Sequence, residues 1–226
     1  MRRFCLVLLA ASAGHAQPAN MQAIAQALGV GCEYCHVAER GSNTPEPKKD
    51  IARAMLAMTR DINSQIHQAM PQAAIGLPAN QAVEVQCVTC HRGVPIPRPL
   101  SDILARTLKE QGAAAAIGQY RELRQQFYGR QAYDFGEDTL IALARSITQS
   151  RPSDSIALLQ VNLEFFPRSA ATYAEIGFAY TRKFDDDSAI QNLEKALEIE
   201  PGNGVIRGQL EQLKSYQRAR QRRQPQ

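Results

Sequence analysis

Apolar residues recur three or four positions apart along most of this chain, which is the spacing of one face of an α-helix. A first short stretch of this kind covers residues 21–28, with Asn20 as its N-cap and Gly29 as its stop. A second stretch begins near residues 44–48 and runs to residue 70, and its apolar stripe is predicted to be buried. That stripe consists of Ile51, Met55, Met58, Ile62, Ile66 and Met70. After residue 100 the helical pattern continues almost to the end, so the chain is predicted to be all-α.

Three prolines divide the chain near residue 100, at Pro95, Pro97 and Pro99. Proline fixes φ and removes a backbone donor, so this segment should be extended and should separate two units. We therefore expect one domain over residues 17–100 and a second, helical domain over residues 101–220, with a short tail at 221–226.

The second helical region repeats with a period of 34 residues, which is the distance between Pro167 and Pro201. Such a period, with small and aromatic residues in register, resembles the tetratricopeptide repeat. The best copy covers residues 170–203 and carries Ile176, Gly177, Tyr180, Ala189, Leu193, Ala196 and Pro201. A degenerate copy precedes it, residues 101–130 form a further predicted helix pair, and residues 204–220 form a predicted capping helix. The alternative is an unrelated helical bundle.

The N-terminal residues 1–16 have the layout of a secretory signal peptide. A positive start with Arg2 and Arg3 precedes a short apolar stretch, and small residues offer a cleavage site before Gln17. We therefore expect the mature chain in the periplasm or outside the cell. No apolar run reaches the ~20 residues that a membrane-spanning helix needs, so no transmembrane segment is expected.

The formal net charge of +4 comes mainly from the chain ends, because residues 214–226 alone carry +5. Such a basic terminus is usually a solvated tail, and we do not expect nucleic acid as a partner.

The four cysteines beyond the signal peptide fall into two complete motifs, Cys32-Glu33-Tyr34-Cys35-His36 and Cys87-Val88-Thr89-Cys90-His91. In each motif two thiols can bond the vinyl groups of one haem while the histidine binds its iron. The sequence therefore predicts two covalently bound haems c. A zinc site made of all four thiols and a set of disulfides are the alternatives, but both leave the two adjacent histidines unexplained.

An iron held by one histidine needs a sixth ligand, and in cytochromes c that ligand is commonly a methionine. The mature chain offers Met21, Met55, Met58 and Met70, and His67 is a further candidate. Met21 begins the helix that ends just before Cys32, so this helix can cover one face of the first haem. For the second haem, helical periodicity alone leaves Met55, Met58, Met70 and His67 open.

Three segments in order resemble the cytochrome c subunit of photosynthetic reaction centres. They are the stretch from Asn20-Met21 to Cys35-His36, the helix Ile51-Ala52-Arg53-Ala54-Met55-Leu56-Ala57-Met58-Thr59-Arg60-Asp61-Ile62-Asn63, and Cys87-Val88-Thr89-Cys90-His91-Arg92-Gly93-Val94-Pro95. The resemblance covers residues ~20–98. That family builds each haem site from a methionine-bearing helix, a turn and a Cys-x-x-Cys-His helix, and it relays electrons to oxidised chlorophyll.

By position, the resemblance implies that Met21 completes the coordination of the first haem and Met55 that of the second. The family carries four haems in two pairs and no tetratricopeptide unit, whereas this chain has one pair of motifs followed by repeats. The resemblance therefore implies a two-haem electron-transfer module.

The sequence as a whole predicts a periplasmic dihaem electron carrier, not an enzyme, whose repeat domain binds a protein partner. Its donor and acceptor would be other redox proteins. Two alternatives remain at this point: a peroxidase-like haem enzyme with a labile sixth ligand, and a subunit of an electron-conducting assembly.

Overall fold

The computed structural model describes residues 20–36, 47–70, 76 and 83–223. Within these residues the fold is all-α, as predicted: it has ten α-helices, one short 3-10 helix and no strand. The chain divides into two compact units, one ending at Pro95 and one beginning at Ile96. The predicted signal peptide at residues 1–16 lies outside the described residues, as do residues 224–226 of the predicted tail.

Helix α1, Met21–Leu28, begins and ends where the sequence predicted. The Asn20 side chain accepts a hydrogen bond from the backbone N–H of Ala23, at 3.1 Å. Gly29 ends the helix with a φ of 66°, a left-handed conformation that costs glycine little. Both predicted caps are confirmed.

The first cysteine motif follows as a 3-10 turn, Cys32–Tyr34, and the long helix α2 then spans Pro47–Ala69. The predicted end of α2 at residue 70 is one residue too late, and residues 44–46, where a start was also expected, lie outside the described range.

The prediction that the apolar stripe of α2 is buried is wrong. Met55 is 37% exposed, Met58 46% and Ile51 61%. Of the stripe, only Ile62 and Ile66 are half-buried, and they share the less exposed side of the helix with Ala52, Leu56, Thr59 and Asn63. Ala52 and Leu56 face the same space as α1, and Asn63 bonds to Val85, just before the second motif. The segments around α2, and not its hydropathy pattern, therefore set its less exposed side.

The second cysteine motif forms the short helix α3, Cys87–His91, which packs against α1. Its carboxyl end turns through Arg92 and Gly93, both with positive φ, into the buried Val94.

The second unit is a series of helices: α4 (Leu100–Gln111), α5 (Ala113–Phe127), α6 (Glu137–Ile147), α7 (Pro152–Phe165), α8 (Ala170–Arg182), α9 (Asp186–Ile199) and α10 (Gly204–Arg223). Successive helices pack in pairs, α4 with α5, α6 with α7 and α8 with α9. The helix pair predicted for residues 101–130 and the terminal helix predicted for 204–220 are both present.

Helix α8 starts 33 residues after α6, and α9 starts 34 residues after α7. Gly177 lies at a close contact between α8 and α9, since a Cβ there would be 2.9 Å from Cγ of Leu193. The leucines and alanines of these helices form two apolar clusters, one centred on Leu104, Leu140 and Leu158 and one on Ala189, Leu193 and Ile206. The assignment of these pairs to the tetratricopeptide class stays a prediction.

Within the described part of the chain, no helix combines the length and apolar character needed to span a bilayer.

Candidate functional site

The first cysteine motif opens into a cavity of about 330 Å³. Cys32, Cys35 and His36 line this cavity together with Met21 from the start of α1. The helix that carries the methionine and the turn that carries the thiols and the imidazole therefore face one common space. These four residues are the ones that the sequence analysis assigned to the first haem, and that assignment stays a prediction.

The walls of this cavity are largely apolar and come from two helices. Ile24 and Leu28 of α1 lie on one side, and Ala52 and Leu56 of α2 lie on another. An apolar, partly enclosed space with few polar groups is typical of a cofactor site.

Two cations of α2, Lys49 and Arg53, also line the cavity. Arg53 donates to Asp50 at 2.7 Å, and both side chains of that pair are about three-quarters exposed. Sequence reasoning did not single out Lys49, Ala52, Arg53 and Leu56. Their spacing of three, one and three residues places these four side chains on one face of the helix. Other faces of α2 show similar spacings, so only the fold identifies the face that lines the cavity.

A further contact joins the first motif to the start of α2. The ammonium group of Lys48 lies 3.8 Å from the centre of the Tyr34 ring. Such a cation–π contact at a partly exposed site is worth about 0.5–1 kcal/mol. It holds the middle of the Cys-x-x-Cys turn near the helix that forms the cavity wall.

The second motif is held by hydrogen bonds at its start and at its end. At the start, the backbone N–H of Gln86 donates to Oγ1 of Thr89 at 3.0 Å, which caps α3. At the end, Nδ1 of His91 is 3.0 Å from the carbonyl oxygen of Val94. A carbonyl oxygen only accepts, so this contact keeps the proton on Nδ1 and leaves the lone pair of Nε2 for a metal.

The two motifs are tied together through a close backbone approach. The N–H of Gly93, two residues after His91, donates to the carbonyl oxygen of Ala27 at 2.8 Å. A Cβ on Gly29 would lie only 2.2 Å from the carbonyl oxygen of Gly93. Glycine is therefore required at position 29 both for its positive φ and for the space it leaves.

The remaining candidates for the sixth ligand of the second haem all lie on α2 or directly after it. Met55 and Met58 are on the exposed side of the helix, and Met70 (42% exposed) follows its last residue. His67 is exposed near the carboxyl end of α2. The cavity at the first motif contains none of these four.

The arrangement of the thiols distinguishes haem attachment from the alternatives of a zinc site and disulfides. All four cysteines of the two motifs are free thiols. Among the described residues, which include these four, no three Cys, His, Asp or Glu side chains come together as a metal cluster. The zinc alternative needs all four sulfurs around one ion, and this fold does not bring them together. The thiol pair, the imidazole, the thioether and the apolar walls of the first cavity do fit a haem c.

The comparison with protein families matches residues 15–136, more than half of the chain, to the photosynthetic reaction centre cytochrome C subunit. The match extends past both cysteine motifs into α4 and α5. The boundary between the two compact units lies earlier in the chain, between Pro95 and Ile96. The part of the chain that matches the family therefore includes helices that fold with the second unit.

Individual relatives align over a shorter stretch of the chain than the family does. Cytochrome c-554 of Chloroflexus aurantiacus is 36% identical over 89 residues, which are 39% of this chain and 20% of that protein. The photosynthetic reaction center cytochrome c subunit of Rubrivivax gelatinosus is 39% identical over 70 residues, 31% of this chain and 16% of that protein. The subunit of the same name from Thermochromatium tepidum is 31% identical over 83 residues, 34% of this chain and 20% of that protein.

The chain thus spans about a fifth of the length of the relatives that it matches. The matched part carries the two Cys-x-x-Cys-His motifs and both methionine-bearing helices. On the strength of the family match, this chain belongs to the photosynthetic reaction centre cytochrome c subunit family.

Proposed function

We propose that this protein is a dihaem c-type cytochrome that transfers electrons between redox proteins outside the cytoplasm. The observation that carries the proposal is the cavity in which Met21, Cys32, Cys35 and His36 meet. The second complete motif, with His91 already oriented by Val94, supports a second haem in the same unit. When bound, each haem iron supplies the one-electron redox chemistry.

The chain's own residues then have distinct roles. Cys32 and Cys35 attach the first haem, His36 and Met21 bind its iron, and the apolar walls limit its contact with water. Burial and axial ligands are the means by which a protein sets a haem potential. The cations Lys49 and Arg53 place positive charge at the same cavity, where they suit the two carboxylates that a haem carries.

For the second haem we propose attachment through Cys87 and Cys90, with His91 and Met55 as the ligands of iron. The contacts of α2 support Met55 over Met58. Relative to Asn63, which contacts the segment before α3, Met55 is rotated by about 80° around the helix axis and Met58 by about 140°. Met58 therefore points more nearly away from the side on which the second motif begins.

The direction of α3 supports Met55 over the later candidates. The second motif starts beside Asn63 and ends bonded to Ala27 of α1. Helix α1 faces the amino-terminal half of α2, because both line the first cavity. The motif thus runs toward the turn that carries Met55, whereas His67 and Met70 lie beyond Asn63 in the opposite direction.

The location and the partner belong to the same proposal. The signal-like residues 1–16 support export to the periplasm or the cell exterior. On the second unit, Phe178, Phe184 and Tyr216 are 40%, 83% and 61% exposed. Exposed aromatic side chains are enriched where proteins bind one another, which supports a protein partner at the helical repeats.

The haem content is tested by mass spectrometry of the denatured, exported protein. We expect two haem additions to the mature chain. The double variant Cys87→Ala/Cys90→Ala should retain one, and Cys32→Ala/Cys35→Ala should retain the other. An unmodified chain, or a single addition in the wild type, would contradict the dihaem proposal.

The axial ligand is tested with three matched variants on one helix. Met55→Ala should remove the thioether signature of one haem and lower its potential, because methionine raises the potential relative to most replacements. Met58→Ala and His67→Ala should leave both haem spectra unchanged. If His67→Ala perturbs a haem that Met55→Ala leaves intact, the second site has two histidines.

A further inference from the structure

The Asn63 side chain forms a two-point contact with the backbone of a residue far along the chain. The N–H of Val85 donates to Oδ1 of Asn63 at 2.7 Å, and Nδ2 of Asn63 donates to the carbonyl oxygen of Val85 at 3.0 Å. Both residues are half-buried. Because one amide supplies both a donor and an acceptor, only asparagine or glutamine offers this pairing, and it fixes the orientation of the amide.

The position of Val85 gives this contact its significance. Val85 lies two residues before Cys87, the first residue of α3 and the first thiol of the second motif. The other end of the motif is held separately, through the hydrogen bond between Gly93 and Ala27. The second motif is therefore anchored to α2 at its entry and to α1 at its exit.

We propose that Asn63 is a positioning residue for the second haem site: through Val85 it fixes where the segment Cys87–His91 meets α2. This inference rests on the proposed dihaem function. Asn63 is eight residues from Met55, about 12 Å along the helix axis. Without the anchor, α3 can shift along or around α2, and the geometry between His91 and the facing turn of α2 changes.

The first site provides an internal reference for this role. Its cavity is lined by Lys49, Ala52, Arg53 and Leu56 of α2, and Asn63 is not among its lining residues. Loss of the Asn63 amide should consequently affect one haem and spare the other. A general loss of stability would affect both.

The proposal is tested with the full-length, haem-loaded protein and three variants. Asn63→Ala removes both hydrogen bonds while keeping a strong helix former. Asn63→Asp keeps the acceptor for Val85 N–H and removes the donor. Ser64→Ala is the control, since Ser64 is exposed, is adjacent on α2 and, among the described residues, is bonded to its neighbour Gln68 one helical turn away.

Three quantities are measured on each protein: the haem count by mass spectrometry, the midpoint potential of each haem, and the hydrogen exchange of the Val85 amide. In Asn63→Ala we expect two haems, about tenfold faster exchange at Val85, a lower potential of the second haem and an unchanged first haem. The potential falls because a looser site admits water, which favours the oxidised, more positive iron. In Asn63→Asp, Val85 should stay protected while the second potential falls through the added negative charge.

The outcomes separate this inference from the function on which it rests. If Asn63→Ala leaves both potentials at the values of Ser64→Ala, the positioning role is overturned, even if Val85 exchanges faster. If the wild type carries fewer than two haems, the proposed function fails whatever the variants do. Should Asn63→Ala not accumulate, Asn63→Ser takes its place, because it adds no charge and its shorter side chain cannot make both hydrogen bonds to Val85; a second potential equal to that of Ser64→Ala then overturns the positioning role.

Discussion

Replacing Gly29 with alanine should weaken the haem-binding unit, because Gly29 lies where the end of α1 meets the turn after the second cysteine motif. The residue has a φ of +66°, and a Cβ built on it would be 2.2 Å from the carbonyl oxygen and 2.9 Å from the carbonyl carbon of Gly93. These are backbone atoms, so no side-chain rotation can relieve the contact. The turn after His91 would have to move away from α1.

The expected cost has two parts. A left-handed conformation costs a non-glycine residue roughly 1–2 kcal/mol. Moving the turn also breaks the hydrogen bond from Gly93 to Ala27, which contributes about 1 kcal/mol. Gly29→Ala should therefore lower the free energy of unfolding of this unit by about 2–3 kcal/mol.

Gly93→Ala is the matched control. Gly93 also has a positive φ, +89°, but a Cβ there would meet no atom of the described residues within 4 Å. It should cost only the conformational part, roughly 1–2 kcal/mol. The difference between the two variants isolates the contact between α1 and the turn after the second motif.

The assay is denaturant unfolding of the haem-loaded protein followed through haem absorption, with the transition midpoints compared at equal slope. Amide exchange in α8 and α9 of the second unit serves as an internal reference that neither variant should change. If Gly29→Ala and Gly93→Ala shift the midpoint equally, the backbone contact contributes nothing and the reasoning is refuted.

Other predictions concern the two units separately. Gly177→Ala should destabilise the second unit by roughly 1–2 kcal/mol through overpacking against Leu193. Gly208→Ala, on α10, where the new Cβ would meet no atom of the described residues within 4 Å, should stabilise it by about 0.5–1 kcal/mol. Thermal or denaturant unfolding measures both variants, and equal effects would contradict the close approach of α8 and α9. Met21→Ala should lower the potential of the first haem alone in a spectroelectrochemical titration, and a change confined to the second haem would reverse the assignment. Burial raises the pKa of Tyr120 above its ordinary value of 10.0, so its contribution to stability is complete below that value and is lost as the pH rises through and above it. The unfolding midpoint of the second unit should fall more steeply above pH 10 in the wild type than in Tyr120→Phe, and parallel curves would show that this phenol does not titrate with unfolding.

Local chemistry made the ends of α1 and the cysteine motifs predictable. Asn20 and Gly29 act on backbone groups within four residues of themselves, so the sequence fully specifies α1. The thiols and imidazole of each Cys-x-x-Cys-His motif are likewise neighbours in the chain.

The buried side of α2 could not be predicted in the same way. Periodicity gave the helix and its apolar stripe, but the half-buried face includes Thr59 and Asn63 and leaves Met58 exposed. A helix with apolar residues on more than one face has no unique buried side in isolation. Which side of α2 becomes less exposed is decided by the distant segments of the chain that lie against the helix in the folded structure.

The sequence by itself determined what depends on neighbours in the chain: the all-α class, the helix caps, the division near the prolines and the two Cys-x-x-Cys-His motifs. Only the tertiary structure decided the pairing of Asn63 with Val85, the place of Lys49 and Arg53 at the first cavity, and the contact of Gly29 with Gly93. These contacts join residues that are separated by up to some 60 positions. Their formation depends on the folded path of the whole unit, which no local pattern of residues records.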